Sequence, residues 1–320
     1  MNTFNELDEL LRLERYRSSL IRFETLGTIE TREAAYPVKA IVIGSDDRSL
    51  PTLGFFGGVH GLEKVGSQIL LAFFHSFFYQ LTWDRDLVKS LDGYRIVSIP
   101  IINPGGMARS TRCNPCNVDL MRNAPVEADP EHTLPLISGH RVSPQLPWYR
   151  GEAGKGLEKE AQILVDFVKR EMFEAQMALS LDVHSGFGVR DQIWYPYAKT
   201  KAEFPRKAAA LKLKALLDTT FPHHIYKYEC QSDNYITSGD LWDYLFDGHH
   251  EQEKDRVFLP LTLELGSWNW IRKNPVQFFS KAGLFHPMKH HRHSRIMRRH
   301  LILLNFLLRA VRNHSAWLEA

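Results

Sequence analysis

The strongest constraint on this chain is a series of short, almost purely apolar runs separated by stretches of longer period. TLGFFGG (52–58), YRIVSIPIIN (94–103), ALSLDVH (178–184) and LPLTLELG (259–266) read as strands buried on both faces. FETLGTIE and VKAIVIG add two more strands, with TREAAYP connecting them, and QIWYPYA adds another. Between them lie helical stretches: SQILLAFFHSFFYQL, LEKEAQILVDFVKREM and EFPRKAAALKLKALLDTTF. Strands that alternate with helices are joined by crossovers rather than hairpins. The fold class expected is therefore α/β, a mixed, mostly parallel β-sheet flanked by helices on both faces. In such sheets ligands gather at the carboxyl ends of the strands.

The remaining segments fit around that core. Residues 4–24 are expected to be helical, with leucines at 7, 10, 11 and 13 on one side. Asn103-Pro104-Gly105-Gly106 ends the second of the apolar runs. Residues 124–156, rich in Pro, Gly and charge, read as a long surface loop, and a basic, apolar helix is expected from about Ser294 onward. No internal repeat or low-complexity linker divides the chain, and 320 residues suit one large domain, 1–320.

Bulk charge narrows the partners. Forty basic residues against 37 acidic ones leave +3, too little to argue for nucleic acid. No 18-residue uncharged apolar run exists, so no membrane span is expected. MNTFNELDELLRLERYRSSL lacks the apolar block of a secretory signal, which gives a cytoplasmic expectation. Three cysteines do not make a disulfide framework.

Candidate chemistry falls where strands end. His60 and Glu63 follow TLGFFGG. If Glu63 opens the next helix, a three-residue step turns both side chains toward one point. By itself this pair reads more readily as a loop histidine and a helix N-terminal glutamate than as a metal site. His184 closes ALSLDVH, however, and Glu264 sits inside LPLTLELG, where a carboxylate is costly to bury without a task or partner. Two imidazoles and a carboxylate suit catalytic zinc, which takes three protein ligands and leaves one position open. Glu264 beside it would take a proton from water on the metal and hand it to a leaving amine.

The motifs, in order, resemble the zinc carboxypeptidase family, which includes the pancreatic carboxypeptidases. HGLE resembles its His-x-x-Glu zinc motif. NPGG, TRCN and VDLMRN resemble its Asn-Pro-Asp-Gly, arginine and Asp-x-Asn-Arg-Asn series. DVHSG, WYPYA, NYITSGD and LTLELG complete the series between residues 57 and 266. The resemblance implies that His60, Glu63 and His184 hold one Zn2+ per chain and that Asp119 orients a ligand histidine. It implies Glu264 as general base, then acid, and Arg112 as polariser of the scissile carbonyl. Arg122 would pair with a substrate carboxylate, and Tyr235 would close over the substrate. The implied activity is hydrolysis of a peptide bond by a zinc carboxypeptidase.

Two positions depart from the pattern. Met121 replaces the asparagine that helps hold a terminal carboxylate, and NPDG has become NPGG. The substrate expected is accordingly a peptide, an N-acyl amino acid or a cell-wall peptide. The reading of another class is a non-catalytic binding protein that keeps the zinc site. Cys113 and Cys116 form CNPC beside Arg112, read as packing or lining the site ahead of a redox pair or half a zinc site. The basic, histidine-rich stretch 286–300 reads as a solvated turn into the last helix, with acidic partners, lipid or a second metal as alternatives. Oligomeric state is not legible.

Overall fold

The computed structural model describes residues 3–253, 255–280 and 283–319. The chain opens with helix α1 (Asn5–Leu13), then strands β1 (Ile21–Glu30), β2 (Ala35–Gly44) and β3 (Thr52–Gly57). Helices α2 (Lys64–Gln80) and α3 (Arg85–Ser90), strand β4 (Arg95–Ile99) and the short α4 (Pro104–Arg109) follow. After the long loop come α5 (Lys159–Met172), β5 (Met177–Phe187), β6 (Gln192–Tyr195), α6 (Lys207–Thr220) and β7 (Lys227–Cys230). The last part holds α7 (Leu241–Gln252), β8 (Val257–Gly266), α8 (Trp268–Lys273), α9 (His290–Arg312) and α10 (Ser315–Leu318).

The strands form one eight-stranded sheet in the order β1-β2-β4-β3-β5-β8-β6-β7. Its centre, β4-β3-β5-β8, is parallel throughout, whereas β1 and β2 run antiparallel to their neighbours, and β6 is antiparallel to β8 but parallel to β7. Successive residues of β3 show why both faces are covered. Phe55 packs edge-on against Phe73 of α2, and Phe56 packs on Phe167 of α5 and Trp242 of α7. Alternate side chains leave a strand on opposite faces, so a run without polar residues demands helices on both. Helix α9 joins α2 on its face, and its buried Leu303, Leu304 and Leu307 complete that layer.

Several local expectations are corrected. The first helix ends at Leu13, a 3-10 turn follows to Tyr16, and Ile21 already begins β1. Ile21 and Phe23 are buried with Arg22 between them half-exposed, a period of two that wins over the helical reading there. Ala35–Pro37 of the supposed connection belong to β2. NPGG does not end the strand, since β4 already stops at Ile99; it starts α4 instead: Asn103 Oδ1 accepts from Gly106 N at 2.8 Å, with Pro104 in the first helical turn. The final helix starts at His290, and β7, α3, α7 and α8 are additional elements.

The replacement of NPDG by NPGG has a packing cause. A Cβ on Gly105 would lie 2.6 Å from Pro115 Cγ, in the middle of the CNPC loop. Gly106 is as tightly held, since its Cβ would meet Cys113 O at 2.6 Å. Gly105→Asp is expected to destabilise the protein by about 1–3 kcal/mol through overpacking, read as a lower midpoint in urea. An unchanged midpoint would show that the CNPC loop moves aside freely.

A buried ion pair ties the sheet to α5. Arg95 on β4 donates from Nη2 to Glu171 Oε2, from Nη1 to Glu171 O at 2.9 Å and from Nε to Ser45 O at 2.9 Å. Burial alone would raise the Glu171 carboxyl, but Arg95 and then Arg170 hold it below its ordinary value. Its contribution is therefore present above the ordinary carboxylate range and lost as pH falls through it. Glu171→Ala leaves the buried Arg95 without its counter-charge and is expected to cost about 3–5 kcal/mol in denaturant unfolding. A loss below about 1 kcal/mol would mean that water reaches the guanidinium.

Candidate metal centre and its cavity

The carboxyl ends of β3, β5 and β8 converge on one point. The loop leaving β3 carries His60 and Glu63, and Glu63 stands immediately before the first residue of α2. His184 lies near the end of β5, directly opposite Glu264 of β8 in the parallel register. Asp182 and His184 sit two residues apart on β5, so they share a face. The loop is tightly seated: a Cβ on Gly61 would fall 2.1 Å from Gly106 C, which leaves glycine as the residue that fits.

Glu63 is the hub. Its Oε1 lies 2.8 Å from His60 Nδ1, and its Oε2 lies 3.1 Å from His184 Nδ1. Ser185 N donates to the same Oε2 at 2.9 Å. The other nitrogen of each imidazole is taken by a buried carboxylate: His60 Nε2 is 3.0 Å from Asp119 Oδ1, and His184 Nε2 is 2.8 Å from Asp182 Oδ2. Both rings therefore present Nδ1 inward. One donor atom from each of His60, Glu63 and His184 lies within 4.8 Å of the others, and all three residues are buried. Two ligands of one tetrahedral zinc sit about 3.4 Å apart. The nitrogen–oxygen donor set and these spacings fit such an ion.

Charge balance supports the arrangement. Burial would raise the Glu63 carboxyl, but the two histidines hold it well below the usual carboxylate range. Burial would lower His184, but Asp182 and then Glu63 raise it well above the ordinary imidazole value. Asp119 is likewise held down against burial by Arg112 and His60. Glu264 behaves oppositely. Burial, then the nearby charge of Glu63, pushes its carboxyl up to about 8. A bound cation between them would oppose that rise. One Glu264 oxygen, Oε1, accepts from Phe187 N at 2.9 Å.

Arg112 reaches the centre from the loop after α4. Its Nε donates to Asp119 Oδ2 at 2.8 Å, and its Nη1 lies 3.4 Å from Glu63 Oε1. Arg122 ends the 3-10 turn Leu120–Arg122, which Asp119 caps by accepting from Met121 N. Arg122 is buried, and its Nε has no hydrogen-bond partner among the described residues. Gly239 (φ +80°) presses on it, since a Cβ there would lie 1.9 Å from Arg122 O. This contact brings Asp240, the cap of α7, into the same cavity as Arg122. Tyr235 packs against Phe187 (ring centroids 5.4 Å apart) and edge-on against Trp194 (5.8 Å).

His60, Glu63, Arg112, Arg122, His184, Tyr235 and Glu264 all line one cavity of about 560 Å³, and Asp119 stands directly behind His60. Met121 lines it too. Its apolar walls come from Ile137, Pro147 and Trp148 of the long loop, Phe187, Trp194 and Phe285. Cys113, half-buried, and Cys116, exposed, are free thiols outside the cavity lining, so they do not line the site.

Sequence reasoning missed Asp182, Asp240 and the aromatic walls. Asp182 carried the same signal as Glu264, a carboxylate inside an apolar strand. Trp242 Nε1 also donates to Asp182 Oδ2 at 2.9 Å.

A family model described as zinc carboxypeptidase matches residues 10–268. Among solved structures, that of thrombin-activatable fibrinolysis inhibitor is similar, with 17% identity, a TM-score of 0.67, and 96% of this chain and 74% of that one covered. The bovine form of that protein, in complex with tick carboxypeptidase inhibitor, gives 16% identity and a TM-score of 0.60, covering 94% of this chain and 98% of that one. Carboxypeptidase A from Helicoverpa armigera gives 19% identity and a TM-score of 0.62, covering 94% of this chain and 73% of that one. These likenesses show the fold. No curated protein sequence matches the chain.

Asp182 locks the ring of His184 and so its tautomer. Asp182→Asn is expected to weaken zinc binding about 10–100-fold while leaving the fold intact, measured by competition with a chromogenic chelator. Unchanged affinity would mean that the charge of Asp182 is not needed to hold the imidazole in place.

Proposed function

Because the chain belongs to the zinc carboxypeptidase family, we propose that it is a zinc-dependent hydrolase of peptide or amide bonds, acting as a carboxypeptidase with one zinc per chain. The observation that carries this reading is the inward convergence of His60 Nδ1, His184 Nδ1 and the Glu63 carboxylate, with Glu264 opposite His184. Zinc in that position supplies a Lewis acid that polarises a carbonyl and lowers the pKa of water.

The chain's own residues divide the remaining work. Glu264, tethered through one oxygen by Phe187 N–H, lines the cavity as the proton carrier. It takes a proton from attacking water and returns it to the leaving amine. Arg112 is held in place by Asp119, so its guanidinium is oriented before the substrate arrives. It stabilises charge developing on the carbonyl oxygen. Arg122 holds a cation at the cavity wall for the substrate's carboxylate, and Tyr235 covers the bound substrate. The intact proton carrier speaks against a purely binding role, for which no such group is needed.

Recognition of the carboxylate differs from the family pattern. The Met121 thioether cannot donate the hydrogen bond of an amide. Asp240 lines the same cavity; burial raises its carboxyl, and in its ionised form it offsets part of the field that Arg122 presents to a carboxylate. This favours a second reading with the same chemistry, in which the substrate is an N-acyl amino acid or a modified peptide. The aromatic walls suit a bulky apolar group beside the scissile bond.

Zinc-loaded protein given matched peptides with free or amidated carboxyl termini, alongside N-acyl amino acids, separates these readings. Cleavage confined to free-carboxylate peptides is expected for the carboxypeptidase. Turnover of amidated peptides or acyl amino acids instead would move the substrate to the second reading. Glu264→Gln is expected to lower kcat about 10²–10⁴-fold with zinc content unchanged. Full activity in that variant would sink the assignment of Glu264. No turnover on any substrate would favour the binding role.

A further inference from the structure

The basic stretch that ends the sequence reading forms, together with α8, a second cleft of about 660 Å³. It shares no lining residue with the metal-centre cavity. Arg190, Lys273, Arg292, Arg295 and Arg299 line it, and Asp191 is the one carboxylate among its lining residues. These cations come from three separate parts of the chain. Arg190 belongs to the turn between β5 and β6, Lys273 ends α8, and the other three lie on α9. Arg292, Arg295 and Arg299 are spaced by three and four, so they share one helix face.

A face that merely stays in water would scatter such charges. Here they surround a concavity whose floor includes buried Trp270 and Ile296. Low-dielectric walls around like charges concentrate the field, and the repulsion is relieved when an anion enters. Asp191 does little to neutralise it. Its Oδ1 already accepts from Gly266 N at 3.0 Å, while its Oδ2 lies 3.9 Å from Arg299 Nη1 and 3.5 Å from His300 Nε2. Arg292 is held across the gap between the helices by donating to Trp270 O at 2.9 Å. The side chains of Arg190, Lys273 and Arg295 have no hydrogen bond or ion pair among the described residues. His291, also in the lining, can add a donor, whereas both ring nitrogens of His224 are already engaged by Asp218 and Tyr226 N.

We propose that this cleft is a binding site for a small polyanion carrying several phosphate groups. Arginine predominates, and its planar fork matches phosphate oxygens two at a time, which a scatter of lysines would not. The same chemistry occurs in a soluble oligophosphate and in a phosphorylated lipid headgroup.

Calorimetric titration of the full chain with tripolyphosphate tests the site, with vesicles of phosphatidylcholine, with and without phosphatidylinositol bisphosphate, as a parallel arm. Saturable one-to-one binding is expected, weakening as salt rises from about 50 to about 500 mM. The double variant Arg190→Gln/Arg295→Gln is expected to weaken it about tenfold or more. Both side chains are exposed, so the variant should fold, and Lys273→Gln gives an independent second test. Arg298→Gln, exposed on α9 but outside the cleft, should bind as the parent does. Binding only to the phosphoinositide vesicles, abolished by the double variant, upholds the site and makes the headgroup its source. No binding to either probe, or equal losses in the double variant and Arg298→Gln, overturns it.

Discussion

The carboxylate of Glu63 is the constraint on which the centre of this molecule depends. It stands between two imidazoles contributed by different parts of the chain, the loop after β3 and the end of β5. A buried carboxylate in that position is tolerable only while positive charge surrounds it. The surroundings are arranged accordingly: each imidazole has a second carboxylate behind it, and Arg112 bridges Asp119 and Glu63. Three buried acids and two histidines, with one arginine at the rim, leave room for a divalent cation in the balance. The parallel sheet makes this possible. Because β5 and β8 run in the same direction and in register, His184 and Glu264 reach the same edge of the sheet on neighbouring strands.

The same economy governs the wall of the cavity. Asp119 caps the turn that carries Met121 and Arg122 while it also orients His60. Asp240 caps α7 through Trp242 N and Asp243 N, and lies in the same cavity as Arg122. Trp242, the second residue of α7, reaches back to Asp182. Helix α7 is thereby tied both to Asp182, the carboxylate behind His184, and to the cavity wall beside Arg122. A shift of this helix would be felt at both.

Much of this was legible in the sequence because the signals were ones of contradiction. Glu264 in an apolar strand and His184 at the end of another announce a function, since burial without one is costly. The central strands were legible for the related reason that both of their faces are covered. What stayed hidden was whatever depended on tertiary context. Residues 17–24 read as a continuation of α1 until the edge pairing of β1 with β2 decides otherwise. Helix α7 carries buried Leu241, Trp242, Leu245, Phe246 and His249, a helical spacing masked by the aspartates and histidines among them. Strand β7 is only four residues long and has a parallel partner, β6, far from it in sequence. Trp148 lies in a loop whose composition says surface, yet it lines the cavity.

The departures from the family pattern separate into two kinds once their neighbours are known. Gly105 is structural: Pro115 fills the space its side chain would need, so this glycine and the CNPC loop form one packing unit away from the cavity. Met121 is different, because it faces the cavity beside Arg122. An amide at that position would share the anchoring of a carboxylate with the arginine. With a thioether there, and with Asp240 also in the cavity, Arg122 must hold any anion in a weaker field. On the proposed reading, its buried Nε, without a hydrogen-bond partner among the described residues, is the donor that a substrate's acceptor would meet. Selectivity at this end would then rest on the direction of one guanidinium rather than on a cluster of donors. Such a site tolerates variation in the anion more readily than one in which two side chains fix both of its oxygens.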